Sequence, residues 1–433
     1  MQRVLSFEQT PALAVPLRFF LTAPAFAIIA GLLLAWTGPD VFVSRWTPDA
    51  LAFTHLLTLG FLGMCMIGAL LQILPVVSGI EIPYTDRTAC AVHVLLGAGA
   101  LTLSLGFLSA SPSVFRLALL FLGAGFGWLL LMLLKRVWTA THASAMLVAI
   151  RLALSALAAT VAFGLAAGAG FAWPLSLPLL QLTDLHVSWG LLGWLGLLVA
   201  GVAYQVVPMF QVTPVYPSWL TRGFAWTVFA LLILRSAMSM IDSRWEPWLS
   251  ALLVLAWTAF AVITLKLLRQ RKRPKPDPTT YFWRTALGSI IAAALLWAAT
   301  TAIPELAQHP AYPLAGGVLV ILGFGYSVIN GMLYKIVPFL VWYHLQNRLA
   351  GAVKAPNVKQ ILPDMDAQRQ FAAHLLALVL LLLATVLPGW FAHAAGLAFA
   401  ASSGWLWFNL MKAMRTWRDM ASTDTCPKDR RVV

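Results

Sequence analysis

The chain has 433 residues, of which 61% are hydrophobic and only 10% are charged. About a quarter of the residues of a soluble protein are charged, so this composition excludes a soluble globular fold. The net charge of +14 would be typical of a nucleic-acid-binding protein, but the basic residues lie in short loops, where they orient a membrane protein. We therefore expect the lipid bilayer, and not nucleic acid, to be the partner of this chain.

The apolar runs of the chain are long enough to cross a bilayer as helices, and the short alternating strands of a membrane barrel are missing. We predict an all-α polytopic membrane protein of about twelve spans, numbered in chain order. The predicted spans are 17–37, 51–77, 88–108, 112–134, 146–170, 183–210, 221–240, 247–269, 282–302, 312–343, 369–388 and 391–414.

Basic residues are concentrated in the loops on one side of the predicted bundle. Lys135 and Arg136 follow span 4, a basic run from Arg269 to Asp277 follows span 8, and the tail 415–433 is also basic. Cytoplasmic loops of membrane proteins are rich in Lys and Arg. We therefore predict a multi-pass protein of the cell inner (cytoplasmic) membrane, with both termini in the cytoplasm.

A sequence motif occurs three times, on spans 2, 6 and 10. Each copy has a Leu-Gly-aromatic triplet, a second glycine eight residues after the first, and a proline fifteen residues after it. An amide or an ammonium group lies three residues before the proline. The copies are Gly60, Gly68, Gln72 and Pro75; Gly193, Gly201, Gln205 and Pro208; and Gly323, Gly331, Lys335 and Pro338.

The equal spacing predicts an internal threefold repeat of four helices. The repeats cover about 17–140, 146–270 and 282–414 within a single transmembrane domain, 1–433. The glycines predict close helix packing in lipid, and the prolines are expected near helix ends, where a missing N–H costs least. We expect both glutamines to bond neighbouring helices and Lys335 to reach the inner headgroups.

Three histidines lie inside predicted spans, where an ionisable side chain is costly and indicates a functional site. His55 and His186 enter spans 2 and 6 from the outer side at similar depth, whereas His93 enters span 3 from the cytoplasmic side. Neutral imidazole is a common ligand of haem and of transition metals. All three are candidate metal ligands, with His93 the weakest; the alternative for each is a hydrogen bond to a neighbouring helix. His374 and His393 are expected at the membrane interfaces.

The register of the motif argues against one site shared by His55 and His186. His55 corresponds to Ser188 in the second copy, and a difference of two residues is about 200° around a helix. If spans 2 and 6 are rotated alike, the two imidazoles face different clefts. Thr54, beside His55, and Asp184, two residues before His186, are candidate partners that could orient the rings.

Twelve spans in three repeats, cytoplasmic termini and a histidine near the outer end of span 2 together resemble subunit I of the haem-copper oxidases. The chain is also similar to the NnrS-type membrane proteins of the nitric-oxide response. In those proteins a histidine precedes a Gly-Phe pair and a later glycine on an early span, as His55 precedes Gly60, Phe61 and Gly68.

By this resemblance, His55 matches an oxidase haem ligand on span 2, and His186 matches an oxidase copper ligand on span 6. The oxidases have further histidine ligands on spans 7 and 10, and those predicted spans contain no histidine here. The resemblance therefore implies that the complete oxygen-reducing centre is missing.

The resemblance implies an integral membrane protein that binds haem, copper or both in respiratory or nitric-oxide metabolism, beside other respiratory membrane subunits. The alternative is a cofactor-free scaffold, assembly factor or transporter on the same frame. No nucleophile motif, phosphate-binding loop or haem-attachment CxxCH sequence is present, so no catalytic residue is assigned. Haem, copper and no cofactor at all stay open, and an enzymatic activity is not expected.

Overall fold

The computed structural model describes residues 7–141, 144–349 and 354–423, which leaves residues 424–433 of the predicted basic tail outside the described ranges. Within these ranges the chain consists of helices and connecting loops only. Twelve long helical segments follow the predicted spans in order. They are α1 Ala14–Phe42, α2 Pro48–Ser78, α3 Thr85–Ser109, α4 Pro112–Thr139, α5 Ala145–Ala172, α6 Leu179–Gln211, α7 Ser218–Ile241, α8 Ser243–Arg269, α9 Pro278–Ala302, α10 Ala311–Leu349, α11 Asp364–Val386 and α12 Pro388–Thr423.

Eleven of these segments, α1 to α11, are long and apolar enough to cross a membrane, which makes the chain a polytopic helical membrane protein. The prediction of about twelve spans is confirmed in part: the twelfth is also a long helix, but α12 is less apolar than the other eleven. Its Ser402, Ser403 and Asn409 are buried and bond to α10 and α11. These polar groups are satisfied by neighbouring helices and do not have to meet lipid.

The three helices that carry the motif change from α-helical to π-helical geometry over the Leu-Gly-aromatic triplet. The π-helical stretches are Leu56–Gly63 in α2, Trp189–Gly196 in α6 and Val318–Tyr326 in α10. The stretch in α10 contacts the other two, and the rings of Phe61 and Tyr326 stack there at 4.2 Å between centroids. π-Helical turns are rare and frequently lie at functional sites, and here they meet at the centre of the bundle.

The motif glycines lie where α2, α6 and α10 cross α1, α5 and α9 respectively. A Cβ atom added at any of the six glycines would lie 2.3–2.8 Å from a side chain of the crossing helix, which is closer than van der Waals contact. Only glycine therefore allows these crossings at the observed spacing. The contacted residues are Phe19 and Phe26 on α1, Ala149 and Ala156 on α5, and Phe282 and Ser289 on α9.

The motif prolines do not share one position relative to the helix ends. Pro75 and Pro208 lie three residues before the last residues of α2 and α6. Pro338 lies well inside its helix, because α10 continues to Leu349, so the prediction of a helix-end proline is wrong for the third copy. The extension is held by packing, since Leu345 and Leu349 are buried beyond the proline.

The backbones of α1 and α12 approach each other closely. A Cβ atom on Gly396 would lie 2.3 Å from the backbone nitrogen of Ala35, and one on Gly31 would lie 2.6 Å from the backbone nitrogen of Ala400. Small residues allow such backbone contact in lipid. The first and last long helices of the described chain are therefore packed directly against each other.

Replacing Gly396 by alanine is expected to lower the free energy of unfolding by about 1–3 kcal/mol, because the added methyl group meets backbone atoms that have no rotamer to change. The measurement is the thermal unfolding midpoint of the purified protein in detergent. The matched control is Gly404→Ala on the same helix, where the nearest atom to the new Cβ, on Ile28, is 4.0 Å away. Equal midpoints for the two variants would contradict the packing role of Gly396.

Candidate functional site

His55 on α2 and His186 on α6 lie opposite each other at the same end of the bundle. Their ring centroids are 6.3 Å apart and the ring planes are inclined by 22°. Both side chains are half-buried. The prediction that these imidazoles face different clefts is therefore wrong.

The prediction treated α2 and α6 as presenting the same face to each other. His55 and His186 instead meet although they are two positions apart in the register of the motif. The same offset brings together Phe53 of α2 and Val318 of α10, the positions equivalent to His186 and His55. They line one cavity of about 100 Å³, so apolar groups replace the imidazoles at that contact.

Backbone carbonyl groups hold both imidazoles. Nδ1 of His55 is 2.8 Å from the carbonyl oxygen of Leu51, and Nδ1 of His186 is 2.9 Å from that of Thr160 on α5. A carbonyl oxygen only accepts hydrogen bonds, so each Nδ1 carries the proton and each Nε2 keeps a lone pair. Histidines that bind metals are usually held in this way, with the other ring N–H donated to a fixed acceptor.

Asp184 and Thr54, the candidate partners of the two rings, do not orient them, because carbonyl groups occupy both Nδ1 atoms. The carboxylate of Asp184 instead pairs with Arg45 at 3.2 Å. The guanidinium of Arg45 also lies 4.6 Å from the ring centroid of Trp46. This pair joins the loop before α2 to the first turns of α6. It is nearly half exposed and adds little stability, but it lies at the end of the bundle that holds the two histidines.

The surroundings of the histidine pair are tight and apolar. The ring of Phe107 on α3 lies 5.3 Å from that of His55, and a Cβ atom on Gly164 of α5 would lie 2.8 Å from Cε1 of His186. Neither histidine lines the cavities of about 280 Å³ and 100 Å³. A haem bound by either imidazole would have to displace Phe107 or open the contact with Gly164.

A single metal ion is compatible with the separation of the rings. An ion that binds two imidazole nitrogens in a straight line at about 2.0 Å each separates the ring centres by roughly 6 Å, and the ring centroids are 6.3 Å apart. The described residues contain no group of three or more His, Cys, Asp or Glu that could hold a metal. A two-nitrogen site suits monovalent copper, and it falls short of the four ligands of structural zinc.

His93 belongs to a different part of the bundle. Its Nε2 is 2.9 Å from the hydroxyl of Thr22 on α1, and its ring meets Phe19 edge-on at 5.3 Å. This hydrogen bond links α3 to α1. The structure therefore does not bring His93 together with His55 and His186.

His374 is buried, which contradicts its predicted place at the membrane interface. It is 1% exposed, its Nε2 is 2.7 Å from the hydroxyl of Ser327, and its ring stacks on Phe282 and Tyr326. The error has a simple origin. Helix α11 begins at Asp364, five residues before the predicted start, so His374 lies nearly three turns inside the helix.

Arg235 on α7 is a residue that the sequence analysis missed. Its guanidinium bonds Ser188 on α6 at 2.9 Å and Ser250 on α8 at 3.2 Å, and it pairs with Glu246 at 3.7 Å. The sequence feature that could have identified Arg235 is its position as a charged residue near the end of an apolar run. Arg235 ties α6, α7 and α8 together near the turn of α6 that carries His186.

Lys335, which was predicted to reach the headgroups, instead pairs with Asp277. Its Nζ lies 2.8 Å from Oδ2 of Asp277, and the two side chains are only 18% and 15% exposed. Asp277 also caps α9 by accepting a hydrogen bond from the backbone N–H of Thr280. Burial by itself would raise the pKa of the Asp277 carboxyl, but the Lys335 ammonium and the Thr280 donors outweigh burial, so this pKa is lowered.

The amide of Gln72 also differs from its prediction. It was expected to bond a neighbouring helix, but its Oε1 atom is buried without a hydrogen-bond partner among the described residues. The side chain is 8% exposed. Gln72 and Gln205 instead line a common cavity between α2, α6 and α10.

The chain matches no known family model, and no curated protein is significantly similar to it in sequence. The class of the protein therefore rests on the structure. It is a polytopic helical membrane protein with two facing imidazoles between α2 and α6.

Proposed function

We propose that this chain is a membrane-embedded copper-binding protein, in which Nε2 of His55 and Nε2 of His186 hold one monovalent copper ion. The observation that carries the proposal is that the two rings lie close together and make the same kind of hydrogen bond. They face each other at 6.3 Å, and each donates Nδ1–H to a carbonyl group and keeps a lone pair on Nε2. Oriented, uncharged imidazoles are what copper requires of its ligands.

The apolar surroundings favour the lower charge state of the ion. Phe107 packs on His55, and Gly164 of α5 lies close to Cε1 of His186. An apolar shell around a metal site limits solvent access and controls its redox potential, and a site of low polarity disfavours the higher charge. His55 and His186 would thus bind and orient the ion, while Phe107 would exclude water.

The wider frame of this proposal is the set of three four-helix repeats that the resemblance to haem-copper oxidases implies. The recurrence of π-helical stretches at matching places in α2, α6 and α10 supports it, as do the glycine contacts of these helices with α1, α5 and α9. In this frame the copper site lies near the outer face, and the protein acts in respiratory or nitric-oxide metabolism. Oxygen reduction is not part of the proposal.

The test is to load the whole chain with copper under reducing conditions, in lipid nanodiscs, and to measure bound metal on the same sample. We expect one copper per chain, and X-ray absorption should show two nitrogen ligands at about 2 Å. A visible spectrum before and after dithionite tests for haem. Absorption bands that correspond to one haem per chain would show that the cofactor is haem and not copper. A sample with neither metal would favour the cofactor-free scaffold or transporter.

A further inference from the structure

A second candidate site lies at the other end of α2 and α6 from the two histidines. It is a cavity of about 280 Å³ between α2, α6 and α10. Its lining is nearly all apolar and comes from matching positions of the three helices. One such set is Ile73, Val206 and Ile336, and the next is Val76, Met209 and Phe339.

Two polar atoms at this cavity have no hydrogen-bond partner among the described residues. They are Oε1 of Gln72 and Oγ1 of Thr10, and both residues line the cavity. Gln72 is more than nine-tenths buried. Buried polar groups in native proteins almost always have a partner, whether protein, water or ligand. The unpaired amide oxygen therefore points to a molecule that supplies a donor.

Water is a poor occupant of this space. A buried water needs two to four polar partners. The cavity has room for several waters, but eleven of its fifteen lining residues are apolar. Apolar cavities stay dry and take up apolar molecules. The occupant should therefore be mainly apolar, with a polar group at the end that meets Gln72.

The occupant should also be uncharged. The residue of α10 equivalent to Gln72 and Gln205 is Lys335, and its ammonium is turned away to Asp277. Lys335 is not part of the cavity lining, which includes no charged residue. A charged ligand would be buried here without a counter-charge, at a large cost.

We propose that this cavity binds an uncharged amphiphile with an apolar body and one hydroxyl group, which donates a hydrogen bond to Oε1 of Gln72. At about 30 Å³ for each non-hydrogen atom, the share of a water molecule in the liquid, the cavity of 280 Å³ holds a body of about ten such atoms. Thr10, Gln205 and Tyr343 contribute the other polar side chains of the lining. This site is independent of the copper site between His55 and His186.

The test uses a diazirine derivative of 1-octanol as a photolabel, with the whole chain in lipid nanodiscs. Mass spectrometry should locate the label on the cavity-lining ends of α2, α6 and α10. Competition by 1-decanol and by decane, a pair that differs by one hydroxyl group, then measures the hydrogen bond. We expect decanol to compete more strongly than decane, and Gln72→Leu to reduce the decanol-to-decane preference about tenfold.

The matched control is Gln370→Leu. Gln370 on α11 also has a buried Oε1 without a partner, but it does not line the cavity, so this variant should keep the wild-type preference. A second variant, Val206→Trp, fills the cavity and should abolish specific labelling. Thermal unfolding shows that each variant is folded. Label outside the cavity, label that persists in folded Val206→Trp, or an unchanged preference in Gln72→Leu would overturn the proposal.

Discussion

Alanine at position 55 or at position 186 is expected to weaken copper binding by more than about 100-fold, because loss of a group that only supports a ligand already costs about 10–100-fold. The proposed site has only two protein nitrogens, so one imidazole cannot hold the ion alone. The measurement is a titration of His55→Ala and His186→Ala against a chelator of monovalent copper. Both variants should stay folded, since the two histidines are only half-buried.

The control for this prediction is His93→Ala. His93 is also a histidine inside a membrane-spanning helix, but its Nε2 is engaged with Thr22 on α1, so this variant should keep wild-type copper affinity. Asp184→Ala should also keep most of it, because Asp184 pairs with Arg45 and not with the imidazole. Full copper binding in either of the two alanine variants at the site would refute the shared site.

The loss of Asp277 is expected to have the largest effect on stability. Asp277→Ala should lower the free energy of unfolding by about 3–5 kcal/mol, because it leaves the Lys335 ammonium largely buried without a counter-charge. It also removes the side chain that caps α9, for which about 1 kcal/mol is typical. The measurement is unfolding by denaturant in mixed micelles.

A second ion pair of the same residue types provides the control. Lys359 and Asp364 lie 2.6 Å apart, but their side chains are 73% and 40% exposed. An exposed pair contributes less than about 1 kcal/mol, so Asp364→Ala should be nearly neutral. If the two alanine variants lose the same stability, burial does not determine the strength of the Asp277–Lys335 pair.

The same ion pair predicts a dependence of stability on pH. The pKa of the Asp277 carboxyl is lower in the folded protein than its ordinary value. Its contribution is therefore fully present above the unfolded pKa of about 4 and is lost as the pH falls through the folded value. The free energy of unfolding should drop below about pH 4, and Asp277→Asn should show a smaller drop. An equal drop in both proteins would show that groups other than Asp277 cause the loss of stability at low pH.

The sequence by itself determined the class of the protein and the order of its long helices. Hydrophobic length is a local property of the chain, so eleven of the twelve predicted spans are helices apolar enough to cross a membrane. The hydropathy of a segment predicted a membrane span less clearly where its polar residues form hydrogen bonds with other helices. Helix α12 is less apolar than the other long helices, and its Asn409 and two serines bond inside the bundle.

Only the tertiary structure decided which side chains meet. In the register of the motif, His55 and His186 differ by two positions, which predicted that their rings point into different clefts. The structure shows that the two rings lie 6.3 Å apart. Lys335 and Asp277 are far apart in sequence and are joined by the packing of α10 near the start of α9. These pairings depend on how each helix is rotated about its axis. That rotation is set by contacts with neighbouring helices, and hydrophobic patterns within one apolar helix do not record it.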